Sequence, residues 1–222
     1  AGIFISAMAK DGKKALPLTV SAMGGRHIFP YDRDVDDHVY CMYEFPTPAY
    51  DPKDPKTHDK KIVVTYSSIN GNGFGGYGEV VLGTQGTLIL EREQEVLLYP
   101  REGFTRVGVS KKKDSAVLDT TASGGNDSAI AKAALDRGPV SRGYCEEMEH
   151  WAWCIRNQSP ENQPKCHPEV ALGDAVIALT TNIAIARGKK GESNLIHFDP
   201  EWFKIESDAT PEGIKPDIKK YA

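Results

Sequence analysis

Tyr66-Ser-Ser-Ile-Asn-Gly-Asn-Gly-Phe-Gly-Gly-Tyr77-Gly-Glu-Val-Val-Leu-Gly-Thr-Gln-Gly-Thr-Leu-Ile-Leu90 decides the fold class. Around and within it, the β-prone apolar runs Ile62–Tyr66, Val80–Leu82 and Thr87–Leu90 are joined by glycine-rich turns. Connections this short favour neighbouring antiparallel strands, because glycine supplies the positive φ that tight turns need. Gly83-Thr-Gln-Gly86 reads as such a turn, with positive φ expected at one of its glycines. Gly71-Asn-Gly-Phe-Gly-Gly76 has the look of a dinucleotide fingerprint without its context. The fingerprint needs a helix opening after the glycines, so that phosphate meets a helix N-terminus. Here Tyr77–Leu82 continues as a strand, so a hairpin loop is expected and no nucleotide site in this chain.

Working outward, Leu18–Met23 reads as a strand ending at Gly24-Gly25, and Val39–Phe45 as a second, closed by Pro46. Prolines 46, 48, 52 and 55 remove ladder donors, which makes the following stretch a surface loop. Lys61–Ser68, Gly78–Leu82, Thr87–Leu90 and Val96–Tyr99 follow as strands in meander order. Arg101–Asp127 is less regular, with a strand at Ala116–Thr121, and a short helix is expected from Asp127 or Ser128 to Gly138-Pro139. Ala1–Met8 reads as the end of an apolar helix.

Two stronger helices follow. In Tyr144–Asn157, residues Met148, Trp151, Ala152 and Ile155 recur at helical spacing and form the expected core-facing stripe. Pro168 suits a helix start, Gly188 after Arg187 suits its end, and Val170–Ala186 is apolar nearly all round, which predicts deep burial. Leu195–Phe198 is a last short extended run. Strands followed by helices imply an α+β fold: a largely antiparallel, open-faced sheet with two main helices packed on one face.

The chain has 222 residues, long enough for a sizeable core, and a single domain is the expectation. A net charge of −4 provides no electrostatic footprint for nucleic acid, and Lys111-Lys112-Lys113 reads as a solvated loop. No unbroken apolar run approaches the roughly 18 residues of a bilayer span. No export signal is recognisable at the N-terminus, and the compartment, cytoplasmic or exported, stays open. Cys145 and Cys154 are about 13 Å apart along one helix, too far for a disulfide. With Cys41 and Cys166 they are expected to be buried free thiols.

Asp32-Arg-Asp-Val-Asp-Asp-His38 resembles the start of a calcium loop, but Asp37 and Tyr43 stand where glycine and glutamate are needed. A solvated acidic turn is expected instead. His38 with Cys41, and Cys166 with His167, lack the second pair of a zinc site, and His38 and Cys41 alternate to opposite sheet faces. No metal site is therefore expected. No serine sits in a nucleophile elbow, and His150 beside Trp151 and Trp153 reads as a boundary packing residue. Arg26 and His27, after Gly24-Gly25, are the substrate-binding candidates, a cation beside an imidazole at a sheet edge suited to carboxylate or sugar hydroxyl.

From Leu16 to Ala209 the order of motifs resembles the sheet-forming C-terminal domain of the Gfo/Idh/MocA oxidoreductases. The motifs are Leu18–Gly25 with Arg26, Asp36-Asp37 with Val39–Pro46, Thr65-Tyr-Ser-Ser68 and Gly78-Glu79. Gly83-Thr-Gln-Gly86, Cys154-Ile155-Arg156, Asn182-Ile-Ala184 and Ile196-His-Phe-Asp199 continue the order. The resemblance implies an intact protein that moves a hydride between NAD or NADP and a sugar or polyol. It also implies an N-terminal Rossmann domain, expected to lie outside this chain as its partner domain. A Glu-Lys-Pro motif of that missing half would supply the acid/base lysine. Many members carry an Asp and a His on the first helix of the sheet domain. Ala1–Lys10 has neither, so no catalytic residue is assigned. Cofactor binding by this chain itself is not expected. Sheet-mediated homo-oligomers are implied too. The alternatives are a non-catalytic sheet module for dimerisation or ligand binding, and an NAD-dependent glycoside hydrolase relative.

Overall fold

The computed structural model describes residues 5–6, 14–71, 76–91, 95–100, 107–112, 115–120 and 144–214. The expected helix after Asp127 lies outside them, as does most of Ala1–Met8, of which Ile5 and Ser6 are helical. The architecture is α+β, and every strand pairing among the described residues is antiparallel. The chain divides into two compact units, Ala1–Asn72 with Lys165–Ala222, and Gly73–Pro164.

The first unit holds β1 (Thr19–Gly25), β2 (His38–Pro46), β3 (Lys61–Ile69) and β9 (Leu195–His197) in one sheet, ordered β3-β2-β1-β9. Val20, Ala22 and Gly24 pair with Tyr43, Cys41 and Val39, which puts these residues on one face. That face receives the long helix α2 (Pro168–Lys189), and Val20, Ala22, Cys41, Ala184, Ile185 and Ile196 form the core between them. Small residues at Ala22, Gly24 and Ala184 let helix and sheet approach. A Cβ on Gly24 would lie 3.1 Å from Ile185 Cγ2.

Pro168 opens α2 as expected, but Gly188 lies inside it. Gly191 is the residue that stops the helix, with φ +76°. Glu192 N–H donates to Arg187 carbonyl and Gly191 N–H to Gly188 carbonyl, both at 3.0 Å. This is a Schellman closure, which needs left-handed backbone one residue past the cap. Deep burial of α2 all round is also corrected: Val176, Thr180, Thr181, Ala184 and Ile185 are buried, whereas Leu179 is 61% exposed. By length and composition alone α2 is apolar enough to cross a membrane. Here one face of it serves a sheet.

The second unit holds a three-stranded sheet, β4 (Gly78–Gly83), β5 (Gly86–Glu91) and β6 (Glu95–Pro100), and a hairpin of β7 (Val107–Lys112) and β8 (Ser115–Thr120). β7 replaces the loop expected at the lysine cluster: Lys111 pairs with Ala116 and Lys112 with Ser115 in an antiparallel ladder. Neither Gly83 nor Gly86 has positive φ. Gly83 is small for clearance instead, since a Cβ there would stand 3.1 Å from the Gly86 carbonyl oxygen.

Helix α1 (Tyr144–Arg156) forms where expected, with Glu146 and Glu147 in its first turn. Its stripe of Met148, Trp151 and Ile155 is exposed rather than buried. Cys154, off that stripe, is the buried residue of the helix. Periodicity identifies which residues share a side, but not whether anything covers it. The four cysteines are free thiols, Cys41 and Cys154 buried, and Cys145 and Cys166 exposed against expectation.

Candidate functional site

Gly25 ends β1 directly opposite His38, the first residue of β2. The loop between them returns the chain, and Asp37 fastens it. The Asp37 side chain is fully covered. Its Oδ2 accepts the backbone N–H of Ile28 at 2.6 Å, Phe29 at 2.7 Å and His27 at 2.9 Å. His27 N–H also reaches Oδ1, which faces Nδ1 of His38. Successive N–H groups converging on one anion form a nest, filled here by the protein's own carboxylate. Burial pushes the Asp37 carboxyl up, but the hydrogen bonds from Phe29, His38, His27 and Ile28 together outweigh it. The group is held well below the usual carboxylate range. Asp37 is thus ionised at neutral pH, and the solvated turn expected here is corrected at this residue. The neighbouring Asp36 is half-buried and takes Lys189 of α2 at 2.8 Å.

Both sequence candidates lie on this loop, with different partners. Arg26 Nη1 donates to the Arg33 carbonyl oxygen, and its guanidinium stands 5.4 Å from the ring centre of Tyr31. Arg33 in turn stands 4.9 Å from the ring centre of Phe29. Tyr31 is 90% exposed, so the loop offers an aromatic face and two guanidinium groups to solvent-borne ligands. The exposed His27 ring lies over Gly25, where a Cβ would come within 2.8 Å of its Nε2. It meets His38 edge to face, with ring centres 4.9 Å apart. Asp37 and His38 are the residues that sequence reasoning missed as a pair. A signal was present: an Asp-His pair closing a loop opened by Gly-Gly.

Other constellations are poorer. His38 and Cys41 do face opposite sides of the sheet, Cys41 being in the core. His150 Nε2 lies 3.8 Å from Cys154 Sγ and the ring stacks near Trp153, a half-buried packing position as expected. Among the described residues no group of three or more His, Cys, Asp or Glu converges as a metal site. An apolar groove of about 660 Å³ runs between α2 and the chain after it, lined by Leu172, Leu179, Trp202 and Ile205 among others. Its Lys204 is paired with Glu201. Ser207, Thr210 and Glu212 are the other polar residues of its lining.

Comparison with known proteins adds little to this geometry. No protein-family model matches the chain, and no curated protein matches it. Among solved structures, an oxidoreductase from Sinorhizobium meliloti is similar at 16% identity and a TM-score of 0.45. The match covers 82% of this chain and 46% of that one, so the chain spans less than half of that structure's length.

Proposed function

We propose that this chain is the substrate-side and oligomerisation domain of a Gfo/Idh/MocA-like, NAD(P)-dependent oxidoreductase acting on a sugar or polyol. The observation that carries the reading is the loop at the end of β1. Arg26 and His27 stand there on a backbone tied at three successive amides to one buried carboxylate. A binding loop so anchored loses little entropy when it meets a ligand. The motifs that carry the resemblance also meet in one place: Gly24 beside Asp36, and Ala22, Ala184 and Ile196 in one core. In this reading Arg26 and His27 contact substrate hydroxyls, while hydride transfer and the nicotinamide belong to a Rossmann domain. The test is turnover of NAD+ or NADP+ by the intact polypeptide over a panel of sugars and polyols. Arg26→Ala and His27→Ala are expected to raise KM. Absence of turnover with every member of the panel overturns the reading.

The same reading includes a second copy of the chain on the open face of the sheet. Met23, Tyr40, Met42, Val63 and Leu195 are exposed on the side of the sheet opposite α2. An apolar sheet face of this kind marks an interface, and twofold pairing of identical faces is the commonest closed arrangement. Sedimentation equilibrium at micromolar concentration tests it. A single 24.3 kDa species overturns the interface.

A further inference from the structure

We infer, on the second-copy reading above, that pairing of two copies through the open face is coupled to protonation of His27, so that the assembly loosens in mild acid. Strand register fixes where the imidazoles lie. Gly25 pairs with His38 and Met23 with Tyr40, and side chains alternate along a strand, so all four positions belong to the open side. A Cβ on Gly25 would project from that side and meet Nε2 of His27 at 2.8 Å. The His27 ring therefore rests on the open side too, edge to face with His38 at 4.9 Å between ring centres. The two imidazoles continue the apolar surface of Met23, Tyr40 and Met42.

Charge decides what can cover this surface. A twofold axis brings identical faces together, so an uncompensated charge on the face is covered twice over. The charges at the far end are compensated: Glu44 takes Lys61 at 3.0 Å and Thr19 at 2.9 Å, and His197 of β9 is near enough to favour its ionised form. At the imidazole end, Asp37 is sealed by the amides of His27, Ile28 and Phe29 and faces Nδ1 of His38. Asp36 lies by Gly24 on the covered side, with Lys189. The neighbours from β1 and β3, Met23, Ser67 and Ile69, carry no charge. Arg26 turns its guanidinium to the Arg33 carbonyl and Tyr31. A face so balanced suits a second copy of itself at neutral pH. An imidazole in water takes up a proton near about pH 6.5. On His38 the new charge meets the Asp37 carboxylate. The His27 ring has Gly25 and His38 as its neighbours, and among the described residues no carboxylate pairs with it. Covering an unpaired imidazolium costs free energy that covering the neutral ring does not. Apposed copies therefore favour neutral His27, and acid favours separate chains.

Sedimentation equilibrium of the chain in neutral and mildly acidic buffer tests the coupling. Between about pH 7.5 and about pH 5.5 the dimer dissociation constant is expected to rise roughly tenfold for each copy whose His27 must stay neutral, and about a hundredfold for two. His27→Gln removes the titrating ring and keeps the backbone N–H that donates to Asp37, so its dissociation constant should stay nearly constant across the same range. His197→Gln, at the far end of the face beside Glu44, should keep the dependence of the parent. A parent dimer that is equally tight or tighter in acid overturns the coupling. So does an acid-induced loss that persists in a His27→Gln protein with unaltered melting. A single 24.3 kDa species at both pH values overturns the second-copy reading itself, and the coupling with it.

Discussion

The two faces of the four-stranded sheet are built from the same strands and both carry large apolar residues, yet one became core and the other surface. Leu195 and Ile196 show it most simply. They are neighbours on β9, and Ile196 is 5% exposed while Leu195 is 47% exposed. On β1 and β2, Val20, Ala22 and Cys41 are buried under α2, while Met23 and Met42 on the other face are 66% and 52% exposed. Polarity separates the faces in part: Val20, Ala22, Val39, Cys41, Tyr43 and Phe45 lie on the covered side, while Thr19, Ser21, His38, Glu44, Thr65 and Ser67 stand among the methionines of the open one. Small residues add to it: the covered side offers Ala22 and Gly24 opposite Ala184 and Ile185, and a helix can sit close there. The open side presents long, flexible methionines and a tyrosine, which suit a second surface better than a closely seated helix.

The largest expected effect comes from truncating the covered face. Ile196→Ala should cost about 2–4 kcal/mol, from lost burial and the cavity left behind. Leu195→Ala should cost less than about 1 kcal/mol in the monomer. Urea melts of the two variants measure the difference directly, and equal losses would break the comparison. Gly24→Ala comes next. Its methyl would stand 2.6 Å from Asp36 Oδ2 and 3.1 Å from Ile185, so helix and loop must both shift. A loss of about 1–3 kcal/mol in the same melts is expected.

Tyr43 gives a smaller, pH-dependent effect on the covered face. Burial pushes its phenol up to about 12, partly offset by the hydrogen bond to Thr181. The unfolded tyrosine ionises near pH 10. Its contribution to stability is therefore fully present below about pH 10 and is lost as the pH rises toward the folded value. Tyr43→Phe should cost about 1 kcal/mol at neutral pH, because Thr181 still donates to the Ile177 carbonyl. The variant should also lose less stability than the parent between pH 10 and 12. A parent and variant with parallel pH profiles would contradict the burial argument. The smallest effect belongs to the open face: Met42→Ser should change monomer stability by less than about 0.5 kcal/mol. If the face pairs with a second copy, the same change raises the dimer dissociation constant in sedimentation. A Met42→Ser protein that melts early without dissociating would mean the face is core of another kind.

Much of this was legible in the residues alone, for local reasons. Alternating β-branched and aromatic runs, glycine turns and prolines are short-range signals, and they placed eight of the nine strands among the described residues to within a few residues. Pro168 marked the start of α2 because the missing N–H and fixed φ act within one turn. The candidate loop was legible as far as Arg26 and His27. The rest depended on contacts between residues distant in sequence. Gly191 ends α2 because a left-handed residue must follow the cap, and Gly188 is simply carried within the helix. Met148, Trp151 and Ile155 make a helical stripe whose burial no periodicity decides. Asp37 looked like one more solvated carboxylate until folding brought the amides of His27, Ile28 and Phe29 around it. Sequence determines which groups can be buried or paired. Only the tertiary structure decided which were, because covering a face or satisfying a charge takes a partner that the chain must first bring near.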